Sequence, residues 1–224
     1  MNNTIKKAII SIGILFISYP GMVNAAPTLE KLMQPEMLGE SLTTLDKQIG
    51  PAQRVDKFNH TKSYQIEHCT LTISSKEDSI QSLEVQITPQ CSFNAGAVIE
   101  STKTIAANKL TLGDVSGDFY ADCLYMCGNA IEPSIYRIEN FNPPRYANLS
   151  DYQIMVTANT ANTDSLVEQM IKQEGEDWVS ENQFNCHPEK YKQLASQLLK
   201  NTPVESIAIG YDLMAGKMLQ QNCR

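Results

Sequence analysis

Tyr64-Gln-Ile-Glu-His-Cys-Thr-Leu-Thr-Ile73 and Ser79-Ile-Gln-Ser-Leu-Glu-Val-Gln-Ile87 alternate apolar with polar residues and are rich in strand-forming side chains. Period-two alternation marks strands with one buried face, so the two stretches read as a β-hairpin turning at Lys76-Glu77-Asp78. Residues directly opposite in an antiparallel pair share a face. A three-residue loop sets Leu71 against Leu83 and Cys69 against Val85 and collects the apolar residues on one side. A two-residue loop sets Leu71 against Glu84, so burial favours the three-residue register. Cys91 then stands opposite Ser63, roughly 20 Å from Cys69 along a continuous strand. A bond between these cysteines therefore needs the chain to leave the ladder, and Pro89 is where it can do so.

Upstream of the hairpin the chain reads as two short helices. Thr28 caps a turn carrying Leu29, Leu32 and Met33, which Pro35 interrupts. Ser41 or Thr43 caps a second helix with Leu42, Leu45 and Ile49 on one face, and Gly50-Pro51 stops it. Ala52 to Lys62, with His60, reads as a polar connection.

Downstream, Ser101 to Leu110 has helical composition, Gly113 to Asp118 is loop-like, and Tyr120 to Cys127 reads as a short helix ended by Gly128. Pro133 to Asn140 and Asp151 to Asn159 read as strands joined by a loop containing Asn142-Pro-Pro-Arg145. Ser165 and Glu168 have capping-box spacing ahead of a helix with Leu166, Val167, Met170 and Ile171, which Gly175 ends. Pro188 opens another helix with Tyr191, Leu194, Ala195, Leu198 and Leu199 on one face, and Val204 to Tyr211 alternates as a strand. Strands and helices mix without a β-α-β rhythm. The expected fold is therefore α+β: antiparallel sheet with helices packed on one face, stapled by disulfides.

Gly39-Glu-Ser-Leu-Thr-Thr-Leu-Asp-Lys-Gln-Ile-Gly-Pro51, a capped helix ending in Gly-Pro, followed by the Leu71 to Ile87 pattern, resembles the small envelope module of the BamE (SmpA/OmlA) family. The same two-helix plus hairpin unit occurs in β-lactamase-inhibitor-like proteins. The resemblance covers Thr28 to Cys91, under a third of the chain, and leaves the rest unassigned. It implies binding of another protein through a sheet face and nearby loops rather than catalysis. BamE proteins are typically lipoproteins, whereas this chain has no cysteine at its expected cleavage point, and no functional residue carries across. The organisation that follows is 1–25 as signal peptide, 26–91 as a helix-helix-hairpin module, and 92–224 as an α+β second half, separate from or continuous with the first.

The signal peptide is read from Lys6 and Lys7, the apolar run Ala8 to Tyr19, and small residues ending at Ala25. That run is too short to span a bilayer, and no later segment is apolar enough to do so. The 224 residues allow one large domain or two small ones, and 42% hydrophobic with 19% charged residues excludes a disordered chain. Cleavage removes two lysines and no acid, deepening the net charge of −7 to −9. Such acidity argues against nucleic acid and anionic membrane surfaces as partners.

All six cysteines lie beyond the signal peptide, and an even count in an exported chain points to disulfides. Pairing by neighbourhood joins Cys69 with Cys91, Cys123 with Cys127, and Cys186 with Cys223. Cys123-Leu-Tyr-Met-Cys127 has the competing reading of a metal or redox site, but its spacer is one residue longer than the thioredoxin-like motif.

Three histidines limit the available chemistry. His68 reads as a half-buried sheet residue and His187 as part of a helix start beside Cys186, where a thiolate-imidazole pair would need an unbonded cysteine. Asp114, Asp118 and Asp122 recur every fourth residue beside glycines, a pattern weighed as a calcium loop or a carboxylate pair against plain turn and cap duty. No serine-hydrolase elbow, zinc-protease motif or phosphate loop is present. The residues singled out for recognition are Arg145 and Tyr146, in a proline-stiffened loop, and Trp178, the one tryptophan. The expected function is that of an exported periplasmic protein that binds another envelope or secreted protein, as inhibitor, immunity factor or accessory factor, without catalysis, cofactor or metal. The alternatives are an exported hydrolase using Asp118 and Asp122, or a small-molecule or metal binder.

Overall fold

The computed structural model describes residues 27–99, 102, 104–127, 134–143, 150–159, 163–214 and 223. Helix α1 (Leu29–Leu32) follows Thr28, and Pro35 sits at the start of a 3-10 turn (Pro35–Met37). Ser41 caps α2 (Leu42–Ile49) by accepting the Thr44 N–H at 3.1 Å, and Gly50, at φ +89°, ends it. The helix start has a second cap from a distance. Asp78 accepts the Thr43 N–H at 2.8 Å and the Ser41 and Thr43 hydroxyls at 2.6 and 2.7 Å, placing a carboxylate where the helix dipole favours one.

Eight strands follow: β1 (Arg54–Asp56), β2 (Thr61–Ile66), β3 (Cys69–Lys76), β4 (Ser79–Gln86), β5 (Asp118–Ala121), β6 (Ser134–Phe141), β7 (Tyr152–Asn159) and β8 (Ser206–Gly210). They form one sheet in the order β1-β2-β3-β4-β8-β7-β6-β5, with every neighbouring pair antiparallel. Each half is an up-and-down meander, and the last strand, β8, joins them by lying between β4 and β7. Between β7 and β8 the chain makes α3 (Asp164–Glu174), α4 (Glu176–Ser180), a 3-10 turn (Gln183–Cys186) and α5 (Pro188–Leu198). The fold is α+β, and the sheet runs through both sides of the boundary near residue 91.

The registers align Tyr64, Leu71, Val85, Ile207, Val156, Arg137 and Phe119 in one row across seven strands, all of them buried. This face carries the core it shares with the apolar residues of α1 to α5. Burying each large aliphatic side chain is worth about 1.5–3 kcal/mol, so the row is a main source of stability. Arg137 is its one charged member. It donates to Gly117 O at 3.1 Å and to Ser196 Oγ on α5, and it lies near the Asp118 charge. Gly117 is required there: its φ is +105°, and a Cβ would meet Ile138 O at 2.6 Å.

The opposite face is divided. On β2 to β4 it presents Ser63, Thr72, Ser74, Ser82 and Glu84, partly exposed. On β5 to β8 it carries a second buried cluster of Tyr120, Tyr136, Ile138, Met155 and Ala208, with Leu213 and Met214 packed against it.

Several expectations change. Tyr64 to Ile73 is two strands, not one, because the chain reverses at Glu67-His68 with Glu67 at φ +55°; His68 is therefore an exposed turn residue, not a half-buried strand one. The β3–β4 turn has two residues, Glu77 and Asp78, both at positive φ as a type I′ turn requires. A bulge past Ser75 then shifts the ladder, so Leu71 faces Val85 and Ile73 faces Leu83. The shorter loop and the bulge change the register twice, so the core face stays as expected while each partner moves two residues. The described residues of Ser101 to Leu110 form no α-helix and contain a 3-10 turn (Ala107–Lys109). Tyr120 to Cys127 begins inside β5 and contains no helix. Helix α3 starts at Asp164, so Ser165 lies within it and is not its cap.

Three disulfides close, Cys69–Cys91, Cys123–Cys127 and Cys186–Cys223, with Cα atoms 4.7, 5.8 and 5.5 Å apart. Cys69 opens β3, and the chain leaves β4 through a Thr88–Cys91 turn in which the Cys91 N–H donates to Thr88 O at 3.1 Å, bringing Cys91 back to it. The Cys186–Cys223 bond spans 37 residues, and closing a loop of that size is worth about 4 kcal/mol on chain-entropy grounds.

Candidate functional site

The residues that suggested chemistry are dispersed. Asp114 accepts from Thr111 N and Oγ1 at 3.0 and 2.7 Å, Asp118 pairs with Lys192 at 3.0 Å, and Asp122 accepts from the Tyr136 hydroxyl. Asp118 and Asp122 lie on one strand and its extension, about 13 Å apart at strand rise, too far for two carboxylates to work on one bond. His60, His68 and His187 are exposed, and all six cysteines are in disulfides. Among the described residues no three His, Cys, Asp or Glu side chains converge, and no helix is long and apolar enough to cross a membrane.

Arg145 and Tyr146 lie outside the described residues. Trp178, on α4, is half-buried, with ring centroids 6.4 Å from Phe184 and 5.6 Å from Tyr191, and Lys190 Nζ is 5.4 Å above it. Lys190 also pairs with Glu174 at 2.6 Å, and Tyr191 donates to the same carboxylate at 2.9 Å. These two side-chain bonds hold the Glu174 carboxyl below its ordinary range. Trp178 thus packs α4 against the 3-10 turn and α5.

The two edges of the sheet differ. At the β5 edge the Ala121 N–H donates to Asn185 Oδ1 at 3.0 Å, and Asn185 Nδ2 donates back to Ala121 O at 2.8 Å. This side-chain amide replaces a neighbouring strand. Asn182 Nδ2 adds a bond to Asp122 O at 2.8 Å. Asn182, at φ +56°, caps the start of the 3-10 turn and Asn185 lies within it, and these bonds turn both amides toward β5. Ala121 and Asn185 are fully buried, and this edge is closed to another chain.

Among the described residues the β1 edge has no such cover. Gln53 N donates to Ser63 O at 2.8 Å, so Ser63 turns its backbone toward β1. Val55 stands opposite Lys62, one step along, and therefore turns its own N–H and C=O outward. Its side chain is 54% exposed, and Phe58, at the tip of the hairpin, is 90% exposed. A shallow hollow of about 380 Å³ lies beside Val55, lined also by Asp56, Lys57, His60, Lys62 and Ser75.

Asp56 holds this tip in shape. It accepts the Phe58 and Asn59 N–H groups at 2.9 and 3.1 Å and the Asn59 side-chain amide at 2.9 Å. Asn59's backbone and side chain, then Phe58's N–H and Arg54's charge, hold the Asp56 carboxyl below the ordinary aspartate range. Its folded pKa is below the unfolded value, so its contribution is present above about pH 4 and is lost as pH falls through the folded value. An NMR titration is expected to give an Asp56 midpoint below about 3.9, with the Phe58 and Asn59 amides shifting in step. A midpoint at or above that value contradicts the turn assignment.

Charge at this edge runs against the rest of the chain. Lys62 is matched by Asp46 at 2.5 Å, which also accepts the Tyr64 hydroxyl at 2.5 Å. Arg54 and Lys57 are exposed and have no ion-pair partner among the described residues. A locally cationic, apolar edge stands on a chain of net charge −7. The sequence offered one sign of it, the cluster Arg54, Lys57 and Lys62 in a polar stretch. Nothing local marked that stretch as a strand. Compared with protein-family models, curated proteins and solved structures, the chain matches none.

Proposed function

We propose that this chain is an exported, non-catalytic periplasmic protein that binds another envelope or secreted protein through the β1–β2 hairpin, as an inhibitor, immunity factor or accessory factor. The observation that carries it is the contrast between the edges: Asn185 seals β5, while β1 leaves Val55's backbone outward beside a 90% exposed phenylalanine. A three-residue edge strand with Arg54 and Lys57 on it is blunted against indiscriminate pairing, and an aromatic side chain held out by a fixed turn is the kind of group that dominates interface energy. Export is supported by three disulfides, which persist in oxidising compartments, and by the signal-peptide pattern of residues 1–25. The BamE-like character of residues 28–91 belongs to the same proposal, since that family binds proteins.

Phe58 makes few packing contacts, so Phe58→Ala is expected to leave the melting temperature unchanged. Tagged mature protein is expected to recover one partner reproducibly from an envelope extract, and the variant to recover it at least about tenfold less, as for a hot-spot aromatic. Equal recovery by both forms contradicts the assignment of the site.

A further inference from the structure

We infer that the partner contributes an acidic extended segment that pairs with β1 as a ninth strand of the sheet. This rests on the binding function proposed above and adds the mode and the chemistry. An edge strand whose outward groups are unpaired binds an extended segment through main-chain hydrogen bonds, with side-chain pockets selecting the sequence. Val55 supplies the outward N–H and C=O, and the hollow beside Val55 and Lys57 takes an alternate apolar side chain. Arg54 and Lys57 flank Val55, and Lys62, opposite it on β2, is already matched by Asp46. Carboxylates on the incoming segment complement Lys57 and Arg54, whose nearby carboxylate, Asp56, is engaged within its own turn.

A second copy fits less well. In a two-fold pairing centred on Val55, Asp56 is the group that would meet Arg54 of the other copy. Its two carboxylate oxygens already accept three hydrogen bonds within its own turn. Two copies each carrying −7 also repel.

The test uses the full chain exported normally, with a photo-reactive benzoylphenylalanine in place of Phe58, and mass spectrometry of the cross-linked peptides. The expected cross-linked segment is extended and net negative. In the same protein Val55→Pro removes the outward N–H without touching the β1–β2 bonds and is expected to lower cross-linking at least about tenfold, because proline cannot donate to an added strand. Arg54→Glu with Lys57→Glu is expected to lower it as far, and this pair decides the matter if the proline variant does not fold. Cross-links to a neutral or basic segment, to a helix or to a second copy overturn the inference while leaving protein binding at Phe58 in place. So does cross-linking that survives Val55→Pro in a folded protein or the charge reversal. Absence of any cross-link from position 58 overturns the binding function itself.

Discussion

Asn185→Ala is expected to lower the unfolding free energy by about 3 kcal/mol, because it strips both hydrogen bonds from the buried Ala121 peptide groups. An orphaned buried donor or acceptor costs about 1–3 kcal/mol, and Asn185 holds one of each. A domain of ordinary stability has about 5–15 kcal/mol in total, so the variant should fold but with a clearly lower denaturant midpoint. It should also self-associate more readily, since β5 regains an unpaired edge. Asn185→Asp gives no rescue, because it keeps an acceptor, loses the donor and buries a charge. A midpoint within about 0.5 kcal/mol of wild type would mean that the edge is not sealed by this side chain.

That amide pair shows where sequence reasoning stops. The helices α2 and α5 were legible because their signals are local: Ser41 before Leu42, Gly50 after Ile49, and Pro188 opening a run with Tyr191 and Ala195 on one face. The buried face of β3 and β4 was legible from alternation alone. Their pairing was not, because a bulge past Ser75 obeys no local pattern, and only its even total shift kept Leu71, Ile73, Leu83 and Val85 on the core side.

Strand β5 was hidden for a different reason. Phe119, Tyr120 and Ala121 are buried on both faces, so alternation vanishes, and Gly128 read as the end of a short helix. Strand β1 was hidden by the opposite condition, since Arg54 and Val55 are exposed and leave no apolar stripe to read. Of the recognition residues chosen from sequence, Trp178 packs within the helical layer. The open edge emerged only once the register placed β1 outermost, and no local pattern singles out Asn182 and Asn185.

The second large effect concerns amide exchange in the purified mature protein. The Ala121 N–H is buried and bonded to Asn185, so it can exchange only by opening of the β5 edge or of the whole fold. The Val55 N–H turns outward from a strand that no described residue covers, so it needs no opening of the fold. Both lie in strands, so the difference between them reports the cover over each edge, not the presence of structure. Opening free energies for core amides approach the global stability, which separates the two rates by at least about three orders of magnitude.

Residue-resolved hydrogen exchange followed by NMR tests this asymmetry most directly. Ala121 protected at least about a thousandfold more than Val55 is the predicted result. Comparable protection at the two positions would contradict a sheet sealed at β5 and open at β1, and with it the assignment of the β1 hairpin as the binding site.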